Sequence, residues 1–170
     1  MLTGIPVSKG ISIGEAHILD RSKLCVLKET IDSSDIDKEI IRFRIAIEQT
    51  KKQMQETKKK ASEVADKYSI ILDTYTLLLD DDILVNDTIS KIRNEKINAE
   101  WAITETLNKS LLLFDNINDD YLKGKKDDLE LVVHGVIKNL LGHSQNALAD
   151  IQKPVILITH TLSPADTISI

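Results

Sequence analysis

"SDIDKEIIRFRIAIEQTKKQMQETKKKASEV", residues 34–64, decides the fold. Ile36, Ile40, Phe43, Ile47, Thr50, Met54, Thr57, Ala61 and Val64 recur at alternating intervals of four and three. That spacing holds one face of a long helix against a neighbour, while Glu48, Lys51, Lys52, Glu56 and Lys58 to Lys60 fall mainly off the stripe. Ser34 and Asp37 give the S-x-x-acid form of a helix start. The stripe needs a cover. Either other helices of the same chain supply it, or the chain self-associates as a coiled-coil adaptor. Thr50 and Thr57 weaken a simple dimer seam and favour the first reading.

Three further helical stretches follow. Gly14 apart, neither glycine nor proline interrupts the chain between Ile11 and Gly124. The second stretch runs over residues 67–94, with an irregularity expected at Asp80-Asp81-Asp82. The third starts near Asn98 and carries Leu107, Leu111 and Phe114. The fourth is capped by Asn118-Asp119-Asp120 and carries Leu122, Leu129, Val133, Val136 and Leu140, with Gly142 at the stop. Short links between them predict an antiparallel four-helix bundle over 31–145. Residues 1–30 and 146–170 read as a partial α/β subdomain. Ile5-Pro6-Val7, Ile11-Ser12-Ile13 and Ala16 to Leu19 have extended character. Val155-Ile156-Leu157-Ile158 reads as a buried strand, and Ser163-Pro164 as a helix start. The expected class is mostly α, a four-helix bundle inserted into an incomplete α/β subdomain formed by both chain ends.

Composition narrows the function. Of 170 residues, 42% are hydrophobic and only 4% aromatic, which suits aliphatic helix packing rather than an aromatic-rich sheet. A net charge of −5 argues against nucleic-acid binding, which needs clustered lysine and arginine, and favours a basic protein partner. Cys25 is the single cysteine, so no internal disulfide forms and a reducing cytoplasm is expected. No apolar run approaches the ~20 residues of a membrane span, and the opening residues lack a signal-peptide core.

The segment "YSIILDTYTLLLDDD", residues 68–82, places dense apolar surface beside an acidic run. Ile71, Thr74, Leu78 and Asp82 share one helix face. Ile70, Leu77 and Asp81 share a neighbouring one, and Leu72, Thr76 and Leu79 a third. One face belongs in the bundle core, and another is free to meet a partner.

Four stretches together resemble the N-terminal part of Enzyme I of the bacterial phosphoenolpyruvate-dependent phosphotransferase system. "GIPVSKGISIG" is similar to that family's G-I-x-x-S-x-G-I-x-x-G opening. "LLLDDDILVNDTI" matches its leucine pair and acidic run. "INDDYLKGKKDDL" with "VIKNLLG" resembles its D-D-x-Y-L-K and N-I-L-G segments. "DIQKPVILITHTLSPADT" resembles its strand and L-T/S-P-S/A-D/E-T turn. The resemblance spans nearly the whole chain.

It implies a helical subdomain that docks the phosphocarrier HPr, and an α/β subdomain that bears a phosphorylated histidine. A separate C-terminal barrel would bind phosphoenolpyruvate and Mg²⁺ and would dimerise. Carried residue by residue, it implies a partner face of Asp66, Ile70, Ile71, Thr74, Tyr75, Leu77, Leu78, Asp82, Phe114, Leu122, Lys125 and Leu129, with Lys67 beside them. No cofactor is expected on this stretch, and no catalytic residue. The family's histidine lies in a G-G-x-x-S/T-H motif that these residues do not contain. His160, between the strand and the Ser-Pro turn, reads as a strand-end histidine. His17, His134 and His143 read as structural or solvated. Lys67, Tyr75 and Glu130 stand where the family has an acid, a histidine and an arginine, which leaves open a variant carrier of the nitrogen-regulatory or dihydroxyacetone branch.

Overall fold

The computed structural model describes residues 7–19, 26–61, 66–115, 120–142, 151, 153–159 and 162. The helix expected from the opening stripe is α1, Ile36–Ala61. After it come α2, Asp66–Leu79, and α3, Asp82–Glu95. Then follow α4, Ala99–Asp115, and α5, Asp120–Leu140. Two strands, β1 (Glu15–Leu19) and β2 (Val155–Thr159), pair in parallel from Glu15 opposite Val155 to Leu19 opposite Thr159. The architecture is thus mostly helical, with a small parallel sheet drawn from the two ends of the chain.

The second helical stretch is two helices rather than one with a local irregularity. Asp81 leaves the helix with extended backbone (φ −64°, ψ 115°). Its carboxylate accepts from the N–H groups of Ile83 and Leu84, capping α3. An aspartate at an N-cap satisfies donors that the first helical turn otherwise leaves orphaned. The bend divides the labour: α2 lies against α1 and α5, whereas α3 lies mainly along α4. At the far end α5 stops where Gly142 takes a left-handed conformation (φ +69°), as the Gly142 stop predicts.

The core is aliphatic. Ile40, Phe43, Ile47 and Thr50 of α1 are buried, and they meet Leu72 and Leu79, Ile103 and Leu107, Val133 and Val136. The 34–64 stripe is therefore spent inside this chain through Thr50, with Met54 packed partly against the same core. Among the described residues, through Met54, it leaves no open seam for a coiled coil, which counts against the adaptor reading; Val64 lies outside the described residues.

Two sequence expectations about strands fail, while the readings of Ile5-Pro6 and Ser163-Pro164 lie outside the described residues. Val7 and Ile11 to Ile13 lie in no strand, and Val7, Ile11 and Ile13 are almost wholly exposed. Apolar spacing alone promised a pairing that no neighbouring strand supplies. The apolar run of β2 also predicts burial on both faces, yet Ile156 and Ile158 face outward. Among the described elements nothing packs on that side of the two-stranded sheet.

One polar cluster ties the bundle together at the end where α4 begins. The Arg42 guanidinium spends all five N–H groups. Two go to Glu39 (2.6 and 2.9 Å), two to Glu100 (2.7 and 2.8 Å) and one to the carbonyl of Leu140 (3.0 Å). Glu39 also accepts from the Ala99 N–H at 2.6 Å. Asn98 bonds Glu100 and reaches the connecting strap at Leu27 and Glu29. Burial pushes the Glu100 carboxyl up, but its bonds to Arg42, its own backbone and Asn98 outweigh that and hold it below the usual carboxylate range. A carboxylate with a depressed folded pKa stabilises the fold above its unfolded value of about 4.3, and that stability is lost as pH falls through the folded value.

Glu100→Gln is expected to cost about 2 kcal/mol at neutral pH by urea unfolding. The variant should also lose part of the stability decline that the parent shows between roughly pH 5 and pH 3.

Candidate functional site

At about 100° per residue, α2 sorts its side chains cleanly around its axis. Leu72, Tyr75 and Leu79 point into the core and are buried. Ile71 and Leu78 sit half-buried on one shoulder, packed against the core. The crest is formed by Ile70 and Leu77, two turns apart and 69% and 70% exposed, with half-buried Thr74 beside them. The other shoulder carries Asp73 and Asp80, again two turns apart. An apolar crest with an acidic shoulder is therefore a property of the folded helix.

More apolar surface is exposed beyond the bend. Ile83, in the first turn of α3, is 69% exposed. The antiparallel register of α3 and α4 is fixed by Asp87 with Lys109 (2.9 Å) and by the buried Thr88 with Thr106 (3.2 Å). Continued toward the bend, that register brings Leu112 and Leu113 level with Ile83, and both are largely exposed. These three residues were not among those singled out from the sequence. Exposed aliphatic side chains in contiguous rows mark interaction surfaces more often than isolated ones do.

The acids differ in what they are free to do. Asp81 is committed to the α3 cap. Asp80 receives Lys51 at 2.6 Å, and Asp73 receives Lys58 at 2.5 and 2.7 Å. Asp82 is exposed and has no side-chain partner among the described residues.

Two of the residues expected at a partner face belong inside instead. Tyr75 is 5% exposed, and its hydroxyl donates to the Asp128 carboxylate of α5 at 2.9 Å. Burial first, and then that hydrogen bond, raise the phenol pKa, so the hydroxyl stays protonated and remains a donor. Leu129 is buried on α5 next to it. Both are core residues beneath the exposed side of α2. The side chains of Asp66, Lys67, Phe114, Leu122 and Lys125 lie outside the described residues, although their backbones belong to α2, α4 and α5.

No group of three or more His, Cys, Asp or Glu among the described residues is placed to hold a metal ion. A cleft of ≈ 430 Å³ opens between the strap and the bundle, beside Val26, Leu27, Arg42 and Glu100. Its one cation, Arg42, has every donor engaged by the protein, so it offers an anion no free guanidinium N–H. His17 lies on β1 opposite Leu157, and His134 lies in α5 with a partner of its own. His143 and His160 lie outside the described residues. No helix among the described residues is long and apolar enough to cross a membrane.

Comparison with known proteins points one way. The family described as PEP-utilising enzyme, N-terminal, matches residues 3–125. The phosphoenolpyruvate-protein phosphotransferase of Cupriavidus necator is 32% identical over 97% of the chain. That of Bacillus subtilis is 32% identical over 98%. The chain spans 30% and 29% of those relatives' lengths. An NMR solution structure of an Enzyme I protein superposes with a TM-score of 0.81 at 30% identity, covering 99% of this chain and 68% of that one. The "N-terminal domain of Enzyme 1 - Nitrogen" shares the fold, with a TM-score of 0.66 at 21% identity, over 98% of this chain and 68% of that one.

Tyr75→Phe is expected to lower stability by about 1 kcal/mol in thermal or urea unfolding, because it strands a half-buried carboxylate while leaving the ring in place. It should leave the surface of α2 unaltered, so amide shifts in an NMR spectrum should move around Asp128 and not around Ile70 or Leu77.

Proposed function

The chain belongs to the PEP-utilising enzyme N-terminal family and has the Enzyme I N-terminal fold, and from that premise we propose that its helical part docks a histidine phosphocarrier, HPr. The observation that carries this reading is the α2 crest. Ile70 and Leu77 stand clear of the core while the opposite side of the same helix is buried. Core packing accounts for Leu72, Tyr75 and Leu79, and it leaves the crest unexplained. Ile83, Leu112 and Leu113 add exposed apolar area beyond the bend, and Asp82 supplies unpaired negative charge near it, with Asp73 and Asp80 on the shoulder.

A partner with an apolar patch ringed by positive charge fits that surface. Apolar contact would supply most of the affinity, and the charges would supply rate and orientation. The expected face of Ile70, Ile71, Thr74, Leu77, Leu78 and Asp82 remains in this reading, with Tyr75 and Leu129 as supports beneath it. Asp66, Phe114, Leu122 and Lys125 stay in it by resemblance. Docking would hold the carrier's imidazole near a phosphohistidine of the full-length enzyme. A ring nitrogen held in one tautomer can take the phosphoryl group near neutral pH.

Phosphoenolpyruvate and Mg²⁺ would act elsewhere in that enzyme, a homodimer through its C-terminal part, in the cytoplasm, at the head of sugar uptake. Residues 31–145 would be the docking unit, and 1–30 with 146–170 the α/β unit.

Calorimetric titration of HPr tests the reading. Binding should weaken with added salt. Leu77→Asp should weaken it by about tenfold or more, since it places a charge at the centre of the apolar contact. Tyr75→Phe should leave it within about twofold despite its cost to stability. Unchanged binding in Leu77→Asp would remove the crest from the interface. A nitrogen-branch carrier that binds where HPr does not would transfer the reading to that branch.

A further inference from the structure

Resting on the docking reading, we infer that Lys51 and Lys58 act as built-in competitors that mask the acidic shoulder until a partner displaces them. The two lysines lie seven positions apart on α1, and the two aspartates lie seven apart on α2. The antiparallel helices therefore match them as two parallel rungs, Lys51 to Asp80 and Lys58 to Asp73. Lys58 engages both oxygens of Asp73, and Lys51 also holds Glu48 at 2.8 Å.

The rungs are asymmetric in exposure. Asp73 and Asp80 are each 58% exposed, whereas the side chains of Lys51 and Lys58 are 16% and 37% exposed. The lysines are the less exposed partner of each pair, and the carboxylates remain reachable from outside. An incoming cation therefore meets carboxylates already neutralised from below. Its gain at each rung is the difference between two ion pairs, which for partly exposed groups is small. Asp82, which carries no such lysine, gives a partner its full attraction.

The consequence is an ordering of the acids that charge counting misses. All three lie beside the same crest, yet only Asp82 should matter to a partner in the parent chain. Asp73 should begin to matter once Lys58 has lost its charge. The same arithmetic makes neutralisation of Lys58, by mutation or by acylation of its amine, a way to raise affinity without touching the interface.

The test uses the full chain with two probes, HPr and a synthetic amphipathic peptide of leucine and lysine. Lys52, exposed and without a side-chain partner among the described residues, provides the control for net charge. Lys58→Met should tighten binding by about threefold to fivefold, and Lys52→Met by less than about 1.5-fold, because only the first releases a paired carboxylate. Asp73→Asn should change little in the parent and should cancel the gain in Lys58→Met. Asp82→Asn should weaken binding in every background. Lys58→Gln repeats the test should Lys58→Met unfold, which circular dichroism would show.

Equal effects of Lys52→Met and Lys58→Met on a bound probe would overturn the masking while leaving the docking reading intact. Binding of the peptide but not HPr, with the lysine effect present, would overturn the carrier and keep the masking. If neither probe binds the parent or any variant, both fall.

Discussion

Arg42 is the joint on which the helical fold depends. Its guanidinium sits where three elements would otherwise leave polar groups unpaired. The last carbonyls of α5, the first N–H groups of α4 and the carboxylates of Glu39 and Glu100 all converge there. Helix ends are costly to bury because four donors or acceptors have no partner within the helix. Here Glu39 answers the N-terminus of α4 directly and Arg42 answers the C-terminus of α5, each with the sign that the helix dipole favours. Asn98 then extends the same network to the strap at Leu27 and Glu29, so the chain entering the bundle and the helix closing it are fixed by one set of bonds. The aliphatic core supplies the bulk of the stabilisation. It is non-directional, and the Arg42 cluster sets which helix ends meet.

The parts of this fold that could be read from the sequence are those governed by a local period. The alternation of fours and threes through α1 reports one buried face wherever the partner helices lie, and Phe43, Ile47 and Thr50 are buried accordingly. Gly142 at the end of α5 needs no tertiary knowledge, because a left-handed residue favours glycine. The acidic run at residues 80–82 announced an irregularity, but not its kind. Its three aspartates have three different duties, an ion pair with α1, a helix cap and an exposed charge, and identical residues give no sign of which is which.

Illegible features depend on distant partners. Tyr75 looks amphipathic in sequence, with a ring for an interface and a polar tip for water. The acceptor that lets it bury is Asp128, 53 positions away. Leu112 and Leu113 come level with Ile83 only through the register of α3 against α4, and that register rests on pairs such as Thr88 with Thr106. The extended character of residues 11–13 failed for the complementary reason. A strand requires a neighbour, and no alternation of isoleucines creates one.

Seen through these contacts, the surface of α2 follows from its inner side. A helix of this length that gives Leu72, Tyr75 and Leu79 to the core has the remainder of its circumference to spend. The outer face of α1 mixes charged and apolar side chains, with Glu48 and Lys52 exposed alongside Ile41 and Ile45. On α2, Ile70 and Leu77 stand outermost, and Asp73 and Asp80 lie on the α1 side, where lysines reach them. The ion pairs also fix the level of α1 against α2, so the groups that set helix register are the same groups that set the charge a partner meets. Packing and recognition are thus coupled through Lys51 and Lys58. A change that alters one rung alters both the stability of the α1–α2 contact and the electrostatics beside the crest. Asp82 escapes that coupling because the cap at Asp81 turns the chain away from α1 before Asp82 begins α3. The bend therefore separates a carboxylate that works for the fold from one left over for a partner.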